Sequence, residues 1–378
     1  MAGIYIHIPY CKKLCFYCDF YHIISSGDNS AFIESLIAEA SLRKDYLGTE
    51  TISTIYIGGG TPSVFTVNEL GALLDKINKL FILEEKCEIT IELNPEDVTP
   101  AYLKGLRKLS INRISLGIQS WDDSHLKMLN RRHDSAQAAQ ALREALNQGF
   151  ENVTIDLIYG IPGMTTREWA ANLDQSFSFD IKHLSAYHLT FEKGTVFGNM
   201  LEKGLIAEID EDDSNSFFNI LTEKAAAAGF IHYEISNFAK PGFISVHNSN
   251  YWKQVIYLGL GPSAHSFNGY SRQWNVRDLT GYIKSVKAGK SFFESEELDT
   301  KARFNEYITT SLRTMWGIDL EYVETTFEKE GYDYVLNLAA KFRNYGLMNQ
   351  EKNALILTDQ GKMISDNIIS EFMMTRDD

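Results

Sequence analysis

Along the first half of the chain, short apolar runs alternate with longer segments in which apolar residues recur every three or four positions. Runs rich in Ile, Leu, Val or Tyr at residues 3–8, 51–57, 88–93, 113–118, 152–159 and 182–189 predict strands. Between them, residues 30–46, 66–80, 100–109, 134–148 and 165–177 carry helical spacing, the first opening on Ser30, a cap residue, ahead of Phe32 and Ile33. A strand followed by a helix, repeated, implies an α/β fold with a parallel sheet, right-handed crossovers and helices outside. A complete or partial βα barrel is the economical closure.

Past about residue 290 the alternation changes. Residues 303–316, 320–328 and 334–345 read as helices, 346–348 and 354–357 as a hairpin, and a further helix starts near Thr358. This order resembles a winged-helix module and divides the chain into a core of 1–290 and a C-terminal domain of 291–378. Its third helix offers only Lys341 and Arg343, and the chain as a whole carries a formal charge of −14. Nucleic acid is therefore not expected as a partner, and packing or protein binding is the expected role of the module. The acidic run at 208–213 reads as a solvated approach to a helix. No apolar stretch is long enough to span a bilayer and the N-terminus shows no leader pattern, so a cytoplasmic protein, or one at a membrane periphery, is expected.

The unusual residues sit at strand ends. Gly58-Gly59-Gly60-Thr61-Pro62 follows the second strand, Asn94-Pro95 the third, Gln119-Ser120 the fourth and Gly160-Ile161-Pro162-Gly163 the fifth. All lie at carboxyl ends, the face that carries ligands in βα barrels. The glycine run permits close backbone approach, and its amides are expected to face a ligand carboxylate or ribose. Three of the four cysteines, Cys11, Cys15 and Cys18, share one loop directly after the first strand. A cubane iron-sulfur cluster needs four ligands, so three thiolates leave one iron open to an exchangeable group. Zinc held with His7, His22 or Asp19 is a competing reading, but the paired Cys-x2-Cys half-sites usual for structural zinc are missing. A disulfide framework does not suit a long chain that can bury its own core, and Cys87, in strand context, reads as a buried inert thiol.

The Cys-x3-Cys-x2-Cys loop and the Gly58–Pro62 turn resemble the cluster loop and methionine-binding segment of the radical S-adenosylmethionine (SAM) superfamily. Segments 5–9, 57–62, 92–95, 115–120, 130–133 and 156–163 are similar to one branch of it, the coproporphyrinogen dehydrogenase and HemW group, over nearly the whole chain. The resemblance implies a partial TIM-like (β/α)6 barrel with a small winged-helix-like C-terminal domain. It also implies a [4Fe-4S] cluster on Cys11, Cys15 and Cys18, with SAM on the fourth iron position. Tyr5, Tyr17, Gly59, Gly60, Thr61, Glu92, Gln119, Arg131 and Asp156 would then line the SAM pocket. A carboxylate such as Glu92 suits the SAM ammonium, and Arg131 suits a carboxylate.

Within this branch stand an enzyme, oxygen-independent coproporphyrinogen III dehydrogenase, and haem chaperones of the HemW type. The dehydrogenase pattern has a fourth cysteine two residues after the third, where this chain has Asp19-Phe20. It also has a long N-terminal extension, for which Tyr5 leaves no room. His247-Asn248-Ser249-Asn250-Tyr251-Trp252 matches the His-Asn-x-x-Tyr-Trp segment of the HemW type. The resemblance thus favours haem carriage, with His247 as a ligand of the haem iron and Tyr251 and Trp252 covering the macrocycle. His188, His232 and His265 stay open as second ligands. The partners implied are haem and a haem-accepting protein, soluble or in a membrane, and a homodimer stays open. Residues 233–239 read as a strand running into a loop, and 257–266 as a tight irregular loop.

Overall fold

The computed structural model describes residues 1–24, 27 and 29–374. Six strands, β1 (Ala2–Ile8), β2 (Ile52–Gly59), β3 (Leu83–Leu93), β4 (Arg113–Gln119), β5 (Asn152–Tyr159) and β6 (His183–His188), pair in sequence order and all in parallel. The chain then lays an antiparallel hairpin, β7 (Ile231–Glu234) and β8 (Asn237–Ala239), along β6. It returns to the other edge of β1 with β9 (Tyr257–Leu260), in parallel. Antiparallel β10 (His265–Phe267), β11 (Ser271–Asn275) and β12 (Phe293–Glu297) complete the sheet. Its edge strands β7 and β12 do not pair with each other among the described residues, so the barrel is partial.

Residues 257–266, expected to be a loop, instead contain β9 and the start of β10. The strand is only four residues long and holds Gly259, where a Cβ would come within 2.0 Å of the His265 carbonyl oxygen. Its glycines therefore serve close strand approach rather than a loop. The five expected helices form as Ser30–Leu42, Val67–Leu80, Pro100–Lys108, Ser135–Asn147 and Thr166–Phe177. Thr66 with Glu69, Asp134 with Gln137 and Thr165 with Glu168 close capping boxes at three of them. Each cap contributes about 1 kcal/mol and fixes where the loop ends and the helix begins.

The parallel strands alternate over most of their length. Ile4, Ile6, Ile57, Ile91, Leu116 and Ile155 are buried and belong to one continuous apolar core with the helices. The intervening positions are polar: Thr54, Tyr56, Glu92, Arg113, Ser115 and Asp156. Alternation sends these to the opposite face, inside the curved sheet. A barrel that is only a scaffold fills this space with branched apolar side chains. Here the lumen is polar instead.

Residues 304–372 contribute a second apolar cluster, which includes Phe304, Leu320, Val335, Phe342, Leu355 and Phe372. Helix Thr300–Leu312 leads to a three-stranded sheet ordered Ile318–Asp319, Ala354–Leu357, Met348–Glu351, with helices Asp359–Met363 and Ser365–Phe372 after it. The two helices expected over 320–345 lie end to end in the span Leu320–Asn344, broken at Phe327 and Glu328, the latter at φ 61°. This region touches both ends of the open sheet. Arg272 of β11 pairs with Glu306 at 2.6 Å, and the Met315 N–H donates to the Tyr233 carbonyl of β7 at 2.9 Å. No helix among the described residues is long and apolar enough to cross a membrane.

Candidate functional site

The cysteine loop leaves β1 at its carboxyl end and is braced on several sides. The Gly60 N–H donates to the Ile8 carbonyl and the Thr61 N–H to the Tyr10 carbonyl, both at 2.7 Å. The Asn130 amide donates to the Leu14 carbonyl at 2.6 Å. Gly59 adopts φ +105°, and a Cβ there would come within 2.5 Å of the His7 ring, so only glycine fits this turn. With the Gly59 N–H donating to Glu92 Oε2 at 3.0 Å, the amides of Gly59, Gly60 and Thr61 are all committed within the protein. Through these bonds the turn joins the cysteine loop to β2 and β3.

All three cysteines of the loop are free and half-buried. Donors aim at two of the sulfurs: Thr61 Oγ1 lies 3.5 Å from Cys11 Sγ, and an Arg131 guanidinium nitrogen lies 3.4 Å from Cys15 Sγ. Burial pushes the Cys18 thiol up to about 12 and also raises Cys11, whereas a bound metal deprotonates a coordinating thiol outright. Among the described residues no three His, Cys, Asp or Glu side chains form a single-ion site. His7, a possible zinc partner, is held at its ring nitrogens by the Tyr5 hydroxyl (3.0 Å) and the Tyr21 carbonyl (2.9 Å).

Around the loop the residues expected to hold SAM fall into two groups. In the first, Arg131 reaches Asn94 Oδ1 at 2.6 Å, the Gly117 carbonyl at 2.8 Å and the Tyr17 hydroxyl at 3.5 Å, while its Nε has no partner. Asn94 in turn donates to Thr61 Oγ1 at 3.2 Å. Gln119, at φ 68°, turns its amide nitrogen toward Gly117, where a Cβ would meet it at 3.0 Å. The second group lies deeper. Tyr56 donates to Glu92 Oε1 at 2.7 Å, Ser115 donates to both carboxylate oxygens of Asp156 at 3.0 and 3.1 Å, and Tyr5 pairs in register with Tyr56. Burial, reinforced by Asp156, pushes the Glu92 carboxyl up to about 7, against the Tyr56 and Gly59 donors. Burial also raises Asp156, against the Ser185 and Ser115 hydroxyls. A bound ammonium would relieve both. Tyr56 and Ser115 received no role in the sequence reading, and period-two polarity within the strands is the signal that would have found them.

The expected haem segment lies at the opposite end of the barrel. Helix Val246–Trp252 crosses under the amino ends of the strands, its first turn held by Glu88, which accepts from the Val246 and His247 N–H groups at 3.1 and 2.9 Å. His247 is 2% exposed. Its Nδ1 lies 2.8 Å from Thr54 Oγ1, its Nε2 lies 3.0 Å from the Tyr251 hydroxyl, and its ring stacks on Tyr56. Burial lowers it to about 3, so the imidazole is neutral. Both ring nitrogens are thus engaged by hydroxyls, while Trp252, at the far end of the helix, is half-buried beside the C-terminal region. His188, His232 and His265 lie elsewhere: His188 against Tyr159, His232 stacked on Phe238, and His265 near Trp274.

An open parallel barrel with a three-cysteine loop at its carboxyl face and a polar lumen defines a radical SAM-type protein, and the Radical SAM superfamily profile matches residues 5–175. The chain is 33% identical to "Heme chaperone HemW" of Lactococcus lactis, over 98% of this chain and 97% of the relative. It is 31% identical to the protein of the same name from Bacillus subtilis, over 99% of both chains. The chain therefore belongs to the HemW family of the radical SAM superfamily. Among solved structures, coproporphyrinogen III oxidase (HemN) from Escherichia coli superposes with a TM-score of 0.85 at 22% identity, covering 99% of this chain and 90% of that one. That likeness shows the fold.

Proposed function

We propose that this protein is a haem chaperone that binds haem and passes it to a recipient protein, with a [4Fe-4S] cluster and SAM controlling loading or release. The observation that carries the reading is the end-to-end similarity to proteins named heme chaperones, which includes the whole barrel and the C-terminal region. The His247–Trp252 segment and the Asp19-Phe20 pair in place of a further cysteine point the same way.

On this reading Cys11, Cys15 and Cys18 hold the cluster, with Thr61 and Arg131 donating toward the sulfurs. Such donors tune a cluster and order its ligands. Glu92 and Asp156 receive the SAM ammonium and ribose end, and Arg131 the carboxylate, supported by Tyr5, Tyr17, Gly59, Gly60, Thr61 and Gln119. When bound, the cluster and SAM supply one-electron chemistry at the carboxyl face. His247 ligates haem iron only after Tyr251 releases Nε2 and the segment lifts from the floor of the barrel, because the ring is enclosed. Tyr56, which touches both His247 and Glu92, then couples the two ends.

The test is hand-over. Protein loaded anaerobically with haem and mixed with an apo-haemoprotein should lose its haem to the acceptor at a rate that depends on SAM and on the cluster. Transfer no faster than from free haem, or no haem retained on gel filtration, contradicts the reading.

A further inference from the structure

The haem segment has two ends with different surroundings. The His247 end is sealed, but Trp252 lines a cleft of about 400 Å³ between the main sheet and the C-terminal region. Its walls are aromatic: Trp252 on one side, and Tyr307, Trp316 and Tyr322 on the other. Two cations line the same cleft. Lys253 Nζ lies 4.1 Å from the Trp316 ring centroid, and Arg303 is half-buried. Neither has a carboxylate partner within salt-bridge distance among the described residues. The cleft also holds two carboxylates, and Oε2 of one of them, Glu306, is buried without a hydrogen-bond partner. Glu306 is paired with Arg272 at 2.6 Å, and Asp319 accepts from the Glu321 and Tyr322 N–H groups at 2.9 and 3.2 Å.

The cleft therefore presents aromatic side chains together with two cations that have no carboxylate partner among the described residues, Lys253 over the Trp316 ring and Arg303 over Tyr270 at 6.0 Å. Aromatic faces bind planar rings, and cations at the edge of a cleft bind carboxylates. Its volume falls within the range of roughly 300–1,000 Å³ usual for small-molecule sites. A file of rings, Phe267, Tyr257 and Tyr251, runs from the cleft to His247 with centroid separations of 6.4, 4.7 and 4.9 Å.

Resting on the haem-carrier reading, we propose that this interdomain cleft is where the macrocycle is received, stacked between Trp252 and Trp316 with its two propionates at Lys253 and Arg303. The C-terminal domain is then half of the ligand site rather than a module appended to the barrel. A site formed between two elements can release its ligand when they separate, as a carrier requires.

The experiment is a haem titration of the full-length, cluster-reconstituted protein, followed by absorbance and by tryptophan fluorescence quenching. Trp316→Ala and the double variant Lys253→Glu/Arg303→Glu should each weaken haem binding about tenfold or more, while Trp316→Phe stays within about threefold of the parent. Haem with esterified propionates should bind the parent about tenfold more weakly than haem itself. Iron content and circular dichroism report folding. If Trp316→Ala misfolds, the charge-reversal variant and the esterified ligand decide. A parent that binds haem, with cleft variants equally tight, overturns the cleft and leaves the carrier reading standing. A parent that binds no haem overturns both.

Discussion

Tyr56 stacks on His247, with ring centroids 5.0 Å apart, while its hydroxyl donates to Glu92 at 2.7 Å. One side chain thus touches the segment expected to meet haem and the carboxylate expected to meet SAM, at two levels of the same barrel. Tyr56→Phe should keep the stack and remove only the bond to Glu92, whose carboxyl then rises further. SAM affinity at neutral pH should fall about tenfold or more, as expected for one lost hydrogen bond to a charged group, about 1.5–3 kcal/mol, with haem affinity unchanged. Tyr56→Ala should disturb both. Calorimetric titration with each ligand separates the two outcomes.

Glu92 gives the site a pH dependence. With its carboxyl raised to about 7, it pairs with an ammonium only as pH passes that value. SAM affinity should fall about tenfold for each pH unit below it and level off above, and Glu92→Gln should flatten the profile. The sign for stability is the reverse. The folded state keeps this proton where the unfolded chain, near 4.5, has lost it, so stability falls as pH rises from about 4.5 through about 7. The cost is on the order of 3 kcal/mol for Glu92 alone. Glu234, also raised to about 7 by burial, adds a slope of the same sign, so Glu92→Gln should remove only part of it in denaturant melts across that range.

The cysteines should divide cleanly. Serine at Cys11, Cys15 or Cys18 should abolish the iron-sulfur absorbance after anaerobic reconstitution and leave the fold intact by circular dichroism. Cys87→Ser should retain full iron and sulfide, because Cys87 lies buried in β3 and its thiol is pushed up to about 12.

His247 should matter for stability in its own right. His247→Ala leaves the Thr54 and Tyr251 hydroxyls without their partner and opens a cavity beneath Tyr56, at a cost of about 2–5 kcal/mol in chemical denaturation. Its lowered proton affinity, to about 3, means that the stabilisation is lost as pH falls from about 6.5 toward 3. In the haem-loaded protein the same substitution should change the iron ligand-field spectrum. An unchanged spectrum removes His247 from the coordination sphere.

Much of the barrel was legible because its strands and helices carry unmixed periods. Residues 152–159 read as a strand and form one with the same bounds, and the helix expected over 66–80 forms as Val67–Leu80. The short antiparallel strands were not legible. β9 is four residues with a glycine inside, and its place beside β1 is set by register, which a single sequence does not display. At the site, the cysteine spacing and the strand-end turns carried the signal. What failed was the direction of individual groups. Nothing in the sequence shows that the Gly59 amide turns to Glu92, or that Thr54 meets His247 from a segment far away in the chain. The alternation of Thr54-Ile55-Tyr56-Ile57 was visible, and it carried more than strand propensity: it announced a polar lumen.

The central claim is carriage of haem rather than chemistry on a tetrapyrrole. Anaerobically reconstituted protein is titrated with haem, and in parallel is given coproporphyrinogen III with SAM and a reductant. Carriage predicts saturable haem binding at one equivalent per chain and no carbon dioxide release. Turnover to protoporphyrinogen without stable haem binding would contradict it and make the chain a decarboxylating enzyme.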